Sequence, residues 1–216
     1  MSNQITAARI VAYMRSQGYQ VFTDPGHLNI VYFEGMDTTF KINRDLLDGW
    51  NDLRTVIRFT AEGIPQFVHI AVATTEPGAS ATKSKQAKQL GGVARIAFGQ
   101  HFAWRMGWHQ QKTRGKKHPA LVQCAPIRVH RDFNMDGFRT GDPLGWADGL
   151  NQHGTSLTFR GKNVGTFSLG CLVGYDYAVH CNQFMPLCGT DTRYLQDANY
   201  VFGSTIIAAD RFLLAV

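Results

Sequence analysis

The chain has 216 residues, 44% of them hydrophobic and 18% charged, with a formal net charge of +6 and a pI near 9.3. That balance supports a packed core and excludes a disordered chain. No apolar run approaches the ~20 residues of a membrane-spanning helix, so no membrane partner is expected. The positive charge favours anionic partners. The basic runs at 83–88 and 112–117 nevertheless read as solvated loops without an aromatic-interleaved RNA-binding motif, so nucleic acid is not expected either.

Residues 2–17 read as a helix, with Ile5, Ala8, Val11 and Ala12 on one face, Ser2 or Asn3 as cap and Gly18 as the left-handed stop. The opening lacks a basic start, an unbroken apolar stretch and a cleavage site, so synthesis in the cytoplasm without a signal peptide is expected. "YQVFT" and "LNIVYFEG" predict two short strands about a turn at Asp24, Pro25 and Gly26. Residues 37–52 are polar and irregular. "RTVIRF", Glu62–Gly63 and "PQFVHIAVATT" predict a hairpin, and residues 79–92 a basic loop or short helix.

In "ARIAFGQHFAWRMGWH" the alternation places Phe102, Trp104, Met106 and Trp108 on one face, expected to be core. "ALVQCAPIRVHRD" reads as one more strand. The expected fold is α+β: a strand-rich mixed β sandwich or barrel-like domain at 51–216, with an N-terminal helix and short strands at 1–50 forming a packed annex. The four cysteines form no CxxC pair, and disulfides are not expected.

The chemistry concentrates in "NQHGTSLTFRGKNVGTFSLGCLVG", residues 151–174. His153, followed by Gly154 and Thr155, stands eighteen residues before Cys171, which follows Ser168, Leu169 and Gly170. A cysteine attacks an amide as thiolate, which a nearby imidazole can stabilise as an ion pair, and the same imidazole can protonate the leaving amine. Gly170 permits a tight backbone whose N–H groups can face an oxyanion. The bland reading is a buried structural cysteine.

HGT, Gly165 and S-x-G-C resemble the active-site signature of the L,D-transpeptidase (YkuD-like) catalytic family. The resemblance is close over 151–174 and loose over 54–174. The chain also looks like a branch of phage and bacterial proteins carrying "NIVYFEG", a D-x-N-x-D-G segment and "SxGCLVG". It implies an L,D-transpeptidase-like fold in which Cys171 is nucleophile, His153 its base, Gly170 and Cys171 backbone donors, and Ser168 a loop former. Gly154, Thr155 and Gly165 would line the substrate.

The implied reaction is attack on a peptidoglycan stem peptide, an acyl-enzyme, then transfer to an amine or water. No cofactor is required by it. Two positions depart from the family: Val173 stands where Arg is usual, and Leu169 where His or Lys is usual. With no export signal read, a lytic protein acting on the cell wall after phage lysis, or carried in a virion, is expected. The alternative is a non-catalytic structural or wall-binding module that keeps the fold.

Asp132, Asn134, Asp136 and Asp142 have the spacing of the first half of a calcium loop, without its closing Glu. They equally suit an Asx-rich turn. His180, Cys181 and Cys188 lack the spacing of zinc ligands. Asp191, Arg193 and Tyr194 form a polar cluster expected near the site.

Overall fold

The computed structural model describes residues 5–110 and 117–215. Helix α1, Ala7–Ser16, starts at Thr6, whose hydroxyl accepts from Arg9 N. Ser2 and Asn3, the expected caps, lie outside the described residues. The helix ends at Gly18 (φ 73°), where Gly18 N bonds Arg15 O and Tyr19 N bonds Met14 O. Only a residue tolerant of positive φ closes a helix this way.

"YQVFT" does not form a strand. Its backbone partners are side-chain amides: Gln20 exchanges bonds with the Gln100 amide, and Phe22 with that of Asn29. The next segment is β1, Asn29–Glu34, buried along its whole length. Strands β2 (Asp52–Phe59) and β3 (Pro65–Thr74) form the expected hairpin, turned at Gly63 (φ 78°). Two short helices follow, α2 (Ala79–Thr82) and α3 (Lys85–Gln89), with Lys83, Lys85 and Lys88 in solvent. Of the second basic run, residues 112–116 lie outside the described residues.

Strands β4 (Val93–Ile96), β5 (Gly99–His109), β6 (His118–Gln123), β7 (Ile127–Asp132), β8 (Leu144–Ala147), β9 (Gln152–Gly154) and β10 (Leu172–Gly174) come next. Then come α4 (Tyr177–Val179), a π-helical turn (His180–Phe184), α5 (Met185–Cys188), α6 (Thr192–Gln196), β11 (Phe202–Ala208) and α7 (Ala209–Ala215).

Eight strands close into a mixed barrel in the order β1-β11-β5-β6-β9-β10-β3-β2, and β4-β7-β8 form a separate sheet. The β1–β11 and β9–β10 pairs are parallel. Segment 1–50 thus contributes a strand to the barrel itself, between β2 and β11. Residues Ile30 and Tyr32 of β1 join the inner core, while Val31 and Phe33 face a second core built with α1 and α7. Both faces of β1 are covered, so its sequence is apolar without alternation. Each large apolar side chain buried this way contributes roughly 1.5–3 kcal/mol.

Two sequence expectations fail for local reasons. Phe102 and Trp108 do not share the core with Trp104: both are exposed, whereas Met106 packs partly buried against that core. A bulge at Ala103, where Phe202 pairs with Trp104 and Gly203 with Phe102, turns the alternation over. The single strand read at 120–132 is two, β6 and β7, in different sheets and separated at Cys124–Pro126.

Arg54, fully buried, projects among the inner residues. Its guanidinium lies against the Nε2 of His69 and the Nδ1 of His180, and 3.8 Å over the Phe184 ring. Among the described residues no carboxylate pairs with it. His180 Nε2 donates to Pro119 O, which leaves its Nδ1 as acceptor towards Arg54. Two neutral imidazoles therefore solvate one buried cation. Burial, then Arg54, pushes His69 down to about 3 and His180 well below its ordinary value.

The folded state does not take up protons on His69 until about pH 3, whereas the unfolded chain does so below ~6.5. Stability is thus fully present above ~6.5 and is lost as pH falls towards 3. Thermal melts should show Tm dropping between pH 7 and pH 4, and His69→Gln should make that drop shallower. An identical slope in both proteins would remove His69 from the account.

Candidate active site

The site rests on the β9–β10 pair. Leu172 opposes Gln152, Val173 opposes His153 and Gly174 opposes Gly154. Gln152 points inward, accepting from Tyr32 OH and donating to Ser204 Oγ, and Leu172 lies in the inner core. Side chains alternate along a strand. His153, and Cys171 just before β10, therefore share the opposite face. The strand spacing and rise put such diagonal neighbours roughly 8 Å apart at Cα.

The loop before Cys171 is held by Ser168, whose hydroxyl donates to Cys171 O (2.8 Å) and accepts from Gly170 N (3.0 Å). Gly170 has φ 133°, and a Cβ there would lie 2.3 Å from Ala94 O. Leu169 O accepts from Ala94 N, and Ser168 O from Gly78 N. The Gly170 N–H is thus occupied by Ser168, and an oxyanion role for it requires that bond to yield. Gly165 (φ 62°) donates its N–H to Asp48 Oδ1, and Thr155 Oγ1 donates to Tyr175 O. Gly154 packs on His180, where a Cβ would meet the His180 Cβ at 3.0 Å. Ser168, Gly165 and Gly154 shape backbone in this structure, and Thr155 joins Gly154 on the cavity wall beside His153.

His153 is buried, and its Nδ1 lies 2.7 Å from Gly154 O. A carbonyl only accepts, so Nδ1 carries the proton and Nε2 holds the lone pair. Nε2 is buried without a partner at ordinary hydrogen-bond geometry, and the Phe167 backbone also acts on the ring. Burial first, then His109, pushes His153 down to about 3. Cys171 is also buried; its thiol lies 3.8 Å from Gly149 O and does not bond His153. Burial pushes that thiol up to about 11. The imidazolium–thiolate pair expected from the sequence is therefore not the resting state. Burial disfavours both charges, leaving the thiol and the imidazole each neutral.

A cavity of about 400 Å³ adjoins His153, lined also by His109, Lys117, His118, Phe167 and Tyr177. His109 stacks on His153 with ring centroids 3.8 Å apart and planes 9° apart. Asn151 Oδ1 accepts from Gln123 N, so its Nδ2 donates to His109 Nδ1. His109, pushed down to about 4 by burial and then by His118, is neutral too. Sequence reasoning missed this ring; the available signal was that His109 stands on the opposite face of β5 from exposed Trp108.

Asp191 and Arg193 pair with each other and tie to Leu28, away from the cavity wall. In the Asp132 loop, Asp132 accepts from Asp136 N and Gly137 N, Asn134 from Asp136 N, and Asp136 from Phe138 N. These are side chain to backbone bonds of an Asx-rich turn. Asp142 Oδ2 is buried without a partner. Among the described residues, the one group of at least three acidic, His or Cys side chains with ligand atoms within 4.8 Å of one another is Glu34, Asp45 and Glu76. No helix there is long and apolar enough to cross a membrane.

No protein-family model, curated protein or solved structure matches this chain.

Alkylation of Cys171 by iodoacetamide should be slow at pH 6–7 and climb as pH approaches about 11, because the thiolate is the nucleophile. Rapid alkylation at pH 5–6 would mean an ion pair after all. Gly170→Ala, forced to a strained φ against Ala94 O, should destabilise the protein by about 2 kcal/mol or more in denaturant melts.

Proposed function

We propose that the protein is a cysteine enzyme acting on peptidoglycan stem peptides through an acyl-enzyme, on an L,D-transpeptidase-like variant of the mixed barrel. What supports the reading is the parallel β9–β10 pair, in which His153 opposes Val173, two residues after Cys171, with His153 Nδ1 committed to Gly154 O.

Turnover begins when Cys171 rotates from Gly149 O towards Nε2. Nε2 takes the thiol proton as sulfur attacks the carbonyl carbon of the substrate amide. The tetrahedral intermediate collapses to a thioester, and the protonated imidazole gives its proton to the departing amine. An incoming amine or water then attacks the thioester, again losing its proton to Nε2, and the thiol is restored. Stacked His109 keeps the His153 ring in plane, and the Gly154 carbonyl keeps its tautomer. No cofactor enters this scheme. Lys117 and the imidazole-lined cavity suit an acidic peptide, and the net charge of +6 suits an anionic wall reached at phage lysis or from a virion.

A second reading, a structural or wall-binding module without catalysis, is favoured by one observation: the thiol is buried and bonds Gly149 O rather than His153. Incubation with purified peptidoglycan, followed by mass analysis of the muropeptides, separates the two. The enzyme releases or exchanges stem peptides. Cys171→Ala should lower that activity by on the order of 10³-fold or more, and His153→Ala by about 10²–10⁴-fold, with the double variant little worse than either. Unaltered muropeptides with wild type, or full activity in Cys171→Ala, would sink the enzyme reading.

A further inference from the structure

Where β1, β2 and β3 meet the second sheet, four carboxyl groups meet two guanidiniums. Glu34 ends β1, Asp45 lies in the 35–51 loop (φ 46°), Asp52 begins β2, and Glu76 follows β3. Arg95 of β4 contacts Glu76 and Glu34, and Arg139 contacts Glu34. Asp52 is satisfied by Gly35 N, Thr75 N and the Thr75 hydroxyl. Glu34 Oε2 takes the Thr75 hydroxyl as well. Counted as ions, the four acids exceed the two arginines by two negative charges. Asp210 and Arg211, on the wall of the adjoining cavity, cancel each other.

The remaining oxygens point to what balances the excess. Glu76 is 1% exposed, and its Oε2 has no partner; Asp45 Oδ1 is likewise buried and unpartnered. These two and Glu34 place one ligand oxygen each within 4.8 Å of the others. Two oxygens held across a calcium ion at about 2.4 Å are separated by about that span. A solvent-connected cavity of about 820 Å³, lined by Glu34, Asp45, Arg95 and Arg139, leads to the cluster.

We propose that Glu34, Asp45 and Glu76 bind one hard divalent cation. An all-oxygen carboxylate set selects calcium, magnesium or manganese over soft metals. The three ligands are not those of the Asp132 turn, which touches the cluster through the Arg95 bond to Gly137 O, and the site does not depend on Cys171 chemistry. The cation would brace the reactive loop: Glu76 lies two residues before Gly78, which bonds Ser168 O, and Arg95 follows Ala94, which bonds Leu169 O.

The test uses the whole chain, stripped with EDTA and titrated separately with calcium, magnesium and manganese. At least one should raise Tm saturably, by about 5 °C or more at a hundredfold excess over Kd, and bind one to one in calorimetry. Glu76→Gln and Asp45→Asn should each abolish the rise, while Asp136→Ala in the exposed turn should retain it. Folding is checked by circular dichroism; if Glu76→Gln does not fold, Asp45→Asn in its half-buried loop decides. No response in wild type, a response surviving both cluster variants, or one lost in Asp136→Ala overturns the proposal.

Discussion

The parallel pairing of β9 with β10 is the constraint on which the site depends. Gln152 must point inward because Tyr32 and Ser204 complete its hydrogen bonds there, and Leu172 must do so because the inner core is apolar. With those two fixed, strand alternation sends His153 and Cys171 outward together. A slip of one residue in either strand would turn the imidazole into the apolar inner core and take the glutamine amide away from Tyr32 and Ser204. The placement of His153 and Cys171 is thus set by two neighbours, Gln152 and Leu172.

The same packing determines their charge. His153, His109, His69 and His180 are all held neutral by burial, which raises the free energy of their protonated forms. A thiol in such surroundings is a poor nucleophile at rest. The loop that carries the thiol has little freedom to relax: Gly170 lies against Ala94 O, and a Cβ on Gly78 would lie 2.1 Å from Gly165 O. Backbone approaches this close admit only glycine, so S-x-G-C records a packing requirement as well as a chemical one.

Features legible in the sequence were those settled by neighbours along the chain. The β2–β3 hairpin follows from two β-rich runs about Glu62–Gly63, and the end of α1 from Gly18. The β9–loop–β10 arrangement around His153 and Cys171 was partly legible because strand, loop and strand lie within 24 residues of chain. What was not legible depends on distant partners. Residues 19–23 look like a strand, yet the Gln100 and Asn29 amides occupy their backbone groups. The face of Phe102 depends on a bulge opposite Gly203, about a hundred residues away. The π turn at His180–Phe184 exists where Arg54, from β2, needs an imidazole and a ring face. His109 acquires meaning only once barrel closure stacks it on His153.

Barrel closure also explains why so much charge lies behind the reactive loop. Strand ends from β1, β2 and β3 converge at that rim, and each brings an acid that its own strand cannot neutralise: Glu34, Asp52 and Glu76. Arg95 and Arg139 come from the second sheet and its loop, so their ion pairs fasten that sheet to the barrel rather than strengthening either alone. Buried ion pairs gain little net stability, since desolvation offsets most of the attraction, but removing one partner is costly. The cluster therefore acts chiefly on position. It fixes where β4 meets the barrel, and through Ala94 and Gly78 it fixes where Cys171 stands relative to His153.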